Sequence, residues 1–245
     1  MRKLYFTGMN NSDYKKNIVV TGASRGIGLA TVKYLLSSGH RVFGLSRQNL
    51  HAELATFSAD QPGELHWYTT DTDLALVSQA VSGVLSENEQ LDGLIHNAGL
   101  LINKPFSETT EDDWVMQFEV NVFMVFRWTR ALESLMGPGS HVVHITSMGG
   151  VQGSSKFPGL SLYSAAKGSV SIFTESLSTE WVDRGIAVNA LALGAVQTEM
   201  LDEAFPGLEA PVQPAEMGGY VADFCLKGHR LFNGKILQVA MQNPA

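Results

Sequence analysis

Short apolar runs alternate along this chain with longer stretches in which apolar residues recur at helical spacing. The runs predict seven strands, at residues 18–20, 41–45, 65–68, 94–95, 142–145, 186–193 and 236–239. The longer stretches predict about six helices, the clearest at residues 27–38, 73–86, 110–136, 161–183 and 214–226. Strands that alternate with helices form a parallel sheet, and nearly continuous apolar strands suit a sheet covered on both faces. The sequence therefore predicts an α/β fold: one doubly wound domain with a seven-stranded parallel sheet and helices on both faces.

Composition limits the function classes that such a domain can serve. The 245 residues contain no linker or repeat, so we expect one domain over residues 17–245, preceded by a flexible lead or cloning remnant at residues 1–16. Seventeen basic against 24 acidic residues give a net charge of −7, which argues against nucleic acid as a partner. No apolar run is long enough for a membrane span, and no histidine–cysteine cluster suggests a metal. A single cysteine, Cys225, fits a cytoplasmic location.

A glycine-rich turn joins the first predicted strand to the first helix. Gly22, Gly26 and Gly28 form a Gly-x3-Gly-x-Gly pattern, and Ser24, Arg25 and Ile27 lie between them. Glycines at such a turn allow the backbone to approach a pyrophosphate, and the free amides at the helix N-terminus bind the anion. Because the strand before and the helix after are both present, we favour a Rossmann-type dinucleotide site over an ordinary turn.

The end of the second predicted strand indicates which dinucleotide binds. An NAD(H) site usually has an acidic residue here for the ribose hydroxyl, whereas this strand ends in Ser46 and Arg47. A hydroxyl and a cation suit a 2′-phosphate, and Arg25 can approach the same phosphate. The alternative is that Arg47 is an ordinary solvated arginine. We therefore expect NADP(H) as the cofactor in preference to NAD(H).

Five motifs in order resemble those of the short-chain dehydrogenase/reductase family, in its single-domain branch that includes 3-oxoacyl-carrier-protein reductases. They are the Thr-Gly-x3-Gly-x-Gly loop, His-Asn-Ala-Gly at residues 96–99, Asn121, Ser147, and Tyr-x3-Lys at Tyr163 and Lys167. The correspondence extends over nearly the whole chain, from residue 17 to residue 239. The resemblance implies catalytic roles for Asn121, Ser147, Tyr163 and Lys167.

The chemistry of these residue types supports that implication. Tyr163 and Lys167 lie four positions apart and so share one face of a helix. A neighbouring ammonium and a nicotinamide cation should lower the pKa of the phenol from its usual value of about 10, so that Tyr163 can exchange a proton with a carbonyl oxygen. Ser147 would hydrogen-bond the same oxygen. By resemblance, Lys167 holds the nicotinamide ribose and Asn121 positions a water that relays protons. The alternative is a half-buried tyrosine beside a solvated lysine.

The resemblance also implies further cofactor contacts. Asp71 matches the family's acid beside the adenine ring, although a helix cap explains it nearly as well. The remaining residues are expected at the cofactor side of the strand ends: Asn97, Ala98, Gly99, Gly194, Val196 and Thr198. Three features depart from the family pattern: His96 replaces an asparagine, Leu193 replaces a proline, and the 16 positions from Ser147 to Tyr163 are more than is usual.

These observations predict an NADP(H)-dependent carbonyl reductase or alcohol dehydrogenase that acts on a ketone and its secondary alcohol. The alternative is an NADP(H)-binding redox sensor or scaffold that no longer catalyses a reaction. Small ketones, sugars, steroid-like ketones and 3-oxoacyl thioesters all remain open as substrates. The long helices predicted at residues 110–136 and 161–183 are where the family associates, so we expect a homodimer or homotetramer.

Overall fold

The computed structural model describes residues 15–70 and 74–241, and seven parallel strands form one sheet within them. The order is β3-β2-β1-β4-β5-β6-β7. The bounds are β1 Asn17–Thr21, β2 Arg41–Ser46, β3 Glu64–Thr69, β4 Gly93–His96, β5 His141–Ser147, β6 Ala187–Leu193 and β7 Ile236–Val239. The predicted parallel sheet is therefore confirmed, with each strand close to its predicted position.

Helices connect the strands, and the described residues contain eight of the α type. Their bounds are α1 Gly26–Ser37, α2 Ala52–Ala59, α3 Leu74–Val84, α4 Glu111–Phe118, α5 Met124–Leu132, α6 Ser161–Glu180, α7 Glu199–Ala204 and α8 Pro214–Lys227. The sequence prediction missed α2 and α7. Both are short, and α2 buries Leu54 alone while α7 buries no residue fully, so neither carries a helical apolar stripe.

Two hydrophobic cores cover the two faces of the sheet. In β1, Ile18 and Val20 pack into the core beneath α1 and α8, whereas Val19 packs into the core formed with α3, α5 and α6. The same alternation places His141 and His144 on opposite faces of β5, where they contact Cys225 and Thr174 respectively. The five inner strands are thus covered on both faces, as their nearly continuous apolar sequences indicated, whereas the edge strands β3 and β7 are only partly buried.

The strand order reverses at β1, which pairs with β2 on one side and β4 on the other. In open α/β sheets such a reversal opens a crevice at the carboxyl ends of the strands, and ligands bind there. The glycine turn after β1 therefore lies at the edge where a ligand site is expected.

The opposite end of the sheet carries an ion pair, in which Lys16 Nζ lies 2.8 Å from Asp92. Within the described ranges, no helix combines the length and apolar character that a bilayer crossing requires.

Candidate active site

The glycine turn has a conformation that other residues would not permit. Gly22 has a φ of 67°, and a β-carbon there would lie 2.7 Å from Cα of Ala98. At Gly28 a β-carbon would lie 2.1 Å from the carbonyl oxygen of Gly22. Because both clashes are with main-chain atoms, side-chain rearrangement cannot relieve them. These two glycines therefore allow the turn to fold tightly against the start of α1.

Residues after β4 hold this turn from behind. The Thr21 hydroxyl accepts hydrogen bonds from the main-chain amides of Asn97 and Ala98, each at 3.1 Å. Asn97 Nδ2 in turn donates to the carbonyls of Thr21 and Gly22, also at 3.1 Å. The structure thus gives Asn97 and Ala98 a definite supporting role. It also adds Thr21, a residue that the sequence prediction did not single out, although its position directly before Gly22 was a usable signal.

The N-terminus of α1 fits an anionic group. Arg25 occupies the N-cap position without a side-chain hydrogen bond to the helix, and the first turn contains no acidic residue. The first amides of the helix therefore meet no capping side chain within the described part of the chain, and such amides bind phosphate oxygens. Gly26, with a φ of 55°, and Ile27 lie in this first turn. This turn fits the pyrophosphate of a dinucleotide.

The residues expected at the 2′-phosphate lie at the end of β2. Ser46 is buried, and its hydroxyl accepts the amide of Gln48 at 3.1 Å. Arg47 is exposed and has no ion-pair partner among the described residues. Arg25 instead forms an ion pair with Glu203, at 2.8 Å, so the structure directs it toward α7. Asp71 lies outside the described residues.

Ser147, Tyr163 and Lys167 meet at the carboxyl end of β5. Ser147 is the last residue of that strand, and α6 carries the other two side chains on one face. Lys167 is 4% exposed; its Nζ donates to the carbonyl of Ile145 at 2.9 Å and lies 5.7 Å from the centre of the Tyr163 ring. The Ser147 hydroxyl accepts the Gly149 amide at 3.2 Å, which leaves its own proton available for a ligand.

Burial shifts the pKa values of these groups. It raises the pKa of Tyr163 to about 12, against a smaller opposite effect of a hydrogen bond with Ser147. It also lowers the pKa of Lys167 to about 8. The sequence argument expected the lysine to lower the pKa of the phenol, but desolvation is the larger effect in the protein alone. Tyr163 is therefore a neutral phenol at pH 7, the form that donates a proton.

Asn121 lies in a π-helical turn, Glu119–Phe123, that interrupts the single long helix predicted at residues 110–136. Its Oδ1 accepts the Leu100 amide at 3.2 Å, and its Nδ2 donates to the carbonyls of Leu100 and Gln117 at 2.8 Å. A β-carbon at Gly99 would lie 3.2 Å from this Oδ1 and 3.5 Å from Lys167 Nζ. Asn121 and Lys167 therefore both lie beside Gly99, where a side chain would crowd Asn121 Oδ1.

The connection from β6 to α8 (residues 194–213) forms another wall of the site. Gly194 donates its amide to the Val239 carbonyl at 2.9 Å, and Val196 bridges to Val212. The Thr198 hydroxyl caps α7 by accepting the Leu201 amide at 3.3 Å. Thr198 Cγ2 lies 3.3 Å from where a β-carbon of Gly26 would be. The connection therefore passes directly over the glycine turn.

Comparison with known proteins agrees with this geometry. The family model for short chain dehydrogenases matches residues 16–209. The chain belongs to the short-chain dehydrogenase family. It is therefore an oxidoreductase of a family that binds a nicotinamide cofactor. Within this family it is 32% identical to cyclopentanol dehydrogenase of a Comamonas species, over 80% of this chain and 78% of that protein.

Other members of the family are about equally similar. A 3-oxoacyl-[acyl-carrier-protein] reductase of a Synechocystis species is 31% identical, over 83% of this chain and 86% of the relative. Gluconate 5-dehydrogenase of Gluconobacter oxydans is 32% identical, over 90% and 91%. A solved short-chain dehydrogenase of Burkholderia cenocepacia in complex with NADP superposes with a TM-score of 0.80 at 26% identity, over 94% and 98%. The relatives thus share the family but have different named substrates.

His96, which departs from the family pattern, is integrated into the core. It is 3% exposed, and its Nε2 lies 2.9 Å from the Thr129 hydroxyl. Its ring centre lies 5.1 Å from that of His144, the residue paired with it on β5. Because Thr129 donates its own hydroxyl to a helical carbonyl, it accepts from His96. The imidazole therefore supports the strand end rather than taking part in the site.

Proposed function

We propose that this protein is an NADP(H)-dependent carbonyl reductase or alcohol dehydrogenase, with one catalytic domain from residue 17 onward. The observation that carries the proposal is the convergence of Ser147, Tyr163 and Lys167 at the sheet edge that also holds the glycine turn. A bound nicotinamide supplies or accepts the hydride. The substrate is a ketone in one direction and a secondary alcohol in the other.

Each polar side chain has a defined task in this proposal. Ser147 donates its hydroxyl proton to the carbonyl oxygen and orients it, in place of the hydrogen bond that it shares with Tyr163. Tyr163 acts as the general acid in reduction, because burial keeps its phenol protonated, and as the general base in the reverse direction. Lys167 uses one of its three N–H donors on Ile145, so two remain for the ribose hydroxyls and for proton relay through Asn121.

Two observations support NADP(H) over NAD(H). The end of β2 presents the buried Ser46 and the exposed Arg47, with no carboxylate to repel a 2′-phosphate. The related solved structure from Burkholderia cenocepacia contains NADP. Arg25 is a third cation for the 2′-phosphate in this proposal, and its ion pair with Glu203 would have to open for that contact.

The test is NADPH oxidation, followed by its near-ultraviolet absorbance, with a panel of aliphatic, cyclic, sugar and 3-oxoacyl ketones. Turnover with at least one ketone is expected, and Tyr163→Phe should lower it by about 10³-fold. Tight NADPH binding without turnover on any carbonyl would instead favour the redox sensor. Weak binding of both dinucleotides would contradict the cofactor assignment itself.

We also propose that the protein forms a homodimer or homotetramer through α4, α5 and α6. These helices and the π-helical turn between α4 and α5 present apolar side chains that no other described part of the chain covers: Val115 at 65% exposure, Ile172 at 64% and Phe123 at 44%. A second copy of the same chain would bury such a face. Light scattering after size-exclusion chromatography should give a mass of two or four chains, and Ile172→Glu should shift it toward one.

A further inference from the structure

Helix α7 lies between two parts of the proposed site. The cofactor side is the region around the glycine turn, and the substrate side is the region around Asn103 and Gly159. It begins after Thr198, which lies against Gly26, and ends at Ala204. Six helical residues span about 9 Å. The helix therefore starts beside the glycine turn and extends away from it.

The far end of α7 is held by Asn103, a residue on the exposed rim of the site. Its Nδ2 donates to the carbonyl of Ala204 at 2.8 Å. Its Oδ1 lies 2.0 Å from where a β-carbon of Gly159 would be, and the neighbouring Lys104 amide donates to the Gly159 carbonyl at 3.1 Å. Gly159 lies four residues before Tyr163. Three connections, those after β4, β5 and β6, therefore meet at Asn103.

The two faces of α7 differ in chemistry. Met200, Leu201 and Phe205 are half-buried, yet none of them packs into the hydrophobic cores of the described chain. These three side chains give that face of α7 an apolar character. The other face carries the exposed carboxylates of Glu199, Asp202 and Glu203 and is turned toward the glycine turn, because Glu203 pairs with Arg25 and Glu199 Oε2 lies 3.6 Å from where a β-carbon of Gly26 would be.

Cations near α7 are already paired with other groups. Arg25 pairs with Glu203, and Lys104, the neighbour of Asn103, pairs with Asp113. An anionic substrate would therefore pass exposed carboxylates and then meet an apolar surface, and both are unfavourable to it.

We propose that Asn103 is a positioning residue that holds the apolar face of α7 over Tyr163, so that the site selects compact, uncharged ketones. This inference rests on the proposed carbonyl reductase function and names its substrate class. It disfavours both an anionic carrier-bound thioester and a sugar acid, although relatives of this chain are named for such substrates.

The decisive variant is Asn103→Asp, which keeps the shape of the side chain but removes the N–H donor. Asn88→Asp is the matched control, because Asn88 is an exposed asparagine in the connection before β4, at the other end of the sheet. Gly159→Ala provides an independent second variant, since its methyl group would displace Asn103 Oδ1.

Hydrogen–deuterium exchange tests the positioning role without any substrate. Both Asn103→Asp and Gly159→Ala should speed exchange of residues 199–205 by about threefold, the loss expected for one rim hydrogen bond, while Asn88→Asp leaves it unchanged. Unchanged exchange in both variants would overturn the role of Asn103, whatever the activity of the protein.

Steady-state kinetics with cyclohexanone, the bulkier menthone and the anionic acetoacetate test the selection. The unmodified protein should prefer cyclohexanone to each of the others by roughly tenfold in kcat/KM. Asn103→Asp should raise KM for cyclohexanone by about threefold with little change in kcat. It should also lower the ratio of kcat/KM for cyclohexanone to kcat/KM for menthone. A preference for acetoacetate would overturn the substrate class alone, whereas absence of turnover on every ketone would refute the proposed function and the selection with it.

Discussion

The cofactor side and the substrate side of this site are built in different ways. Around the glycine turn, Gly22 and Gly28 fit against main-chain atoms at distances that admit no side chain. Around α7, the connections are joined by side-chain hydrogen bonds at an exposed rim, such as that from Asn103 to Ala204. The first arrangement is fixed by backbone geometry and tolerates little change. The second can be altered one side chain at a time, so substrate choice can change while cofactor binding is retained.

The largest loss of activity should come from replacing Lys167, which in the proposed function contacts the cofactor and lies beside Tyr163. Lys167→Ala removes the buried ammonium beside Tyr163 and the donor to Ile145, so turnover should fall by roughly 10³-fold. Lys227→Ala, a change at an exposed lysine at the end of α8, is the control and should keep full activity. Steady-state rates of NADPH oxidation measure both, and near-normal rates for Lys167→Ala would refute the Tyr-x3-Lys assignment.

A pair of helical glycines tests whether the cofactor side is as restricted as its geometry indicates. Gly28→Ala places a methyl group against the Gly22 carbonyl and should weaken NADPH binding by about 100-fold or more, with loss of stability. Gly83→Ala in α3 meets nothing within 4 Å and should raise the free energy of unfolding by about 0.5–1 kcal/mol. Calorimetric titration and thermal unfolding distinguish the two. Equal changes in NADPH affinity and in the free energy of unfolding for the two variants would contradict the restricted geometry of the cofactor side.

Arg47 is the residue at which the preference for NADPH over NADH should be easiest to change. Arg47→Asp replaces the exposed cation with an acid that repels a 2′-phosphate and accepts from a ribose hydroxyl. We expect the ratio of kcat/KM for NADPH over NADH to fall by at least about tenfold. An unchanged ratio would show that Arg47 does not contact the cofactor.

Buried histidines on β4 and β5 should make the protein sensitive to acid. Burial lowers the pKa of His96 to about 3 and that of His141 to about 4, and lowers the pKa of His144 well below its usual value. Below about pH 6.5 these histidines bind protons in the unfolded chain, whereas in the native state they stay neutral. The free energy of unfolding therefore falls as pH falls, by roughly 1.4 kcal/mol per pH unit for each histidine. His96→Asn should therefore move the acid-unfolding midpoint, followed by circular dichroism, to lower pH; a shift to higher pH would contradict this account.

The smallest effect is expected at the ion pair that links the two sides. Arg25 and Glu203 have side chains 46% and 64% exposed, and an exposed pair of this kind contributes little to stability. Glu203→Gln frees Arg25 and should tighten NADPH binding by about twofold, with NADH binding unchanged. A weaker affinity for NADPH would indicate that the pair instead stabilises the bound state.

The same contrast explains what the sequence could predict. The parallel sheet followed from apolar runs, and the glycine turn followed from spacing, because both patterns are local. Ser147 and Tyr163 could be named because each belongs to a short motif, and the structure brings them together. Asp71 lies outside the described residues, and its assignment stays a prediction.

Other features depend on contacts between distant segments. The π-helical turn at Asn121 arises where that side chain bonds the segment after β4, and nothing in residues 110–136 breaks the helical spacing. The raised pKa of Tyr163 depends on burial, which the Tyr-x3-Lys spacing does not reveal. The role of Asn103 requires Ala204, 101 positions away. Such tertiary effects explain why the substrate side was the harder half to predict.

The most direct test of the central claim follows the hydride itself. NADPH deuterated at both C4 positions is incubated with the protein and a ketone substrate, and the alcohol is analysed by mass spectrometry and NMR. The account predicts one deuterium, on one face of the carbinol carbon, with the unmodified protein, and a rate about 10³-fold lower with Tyr163→Phe. Alcohol without deuterium at that carbon, or undiminished transfer by Tyr163→Phe, would contradict it.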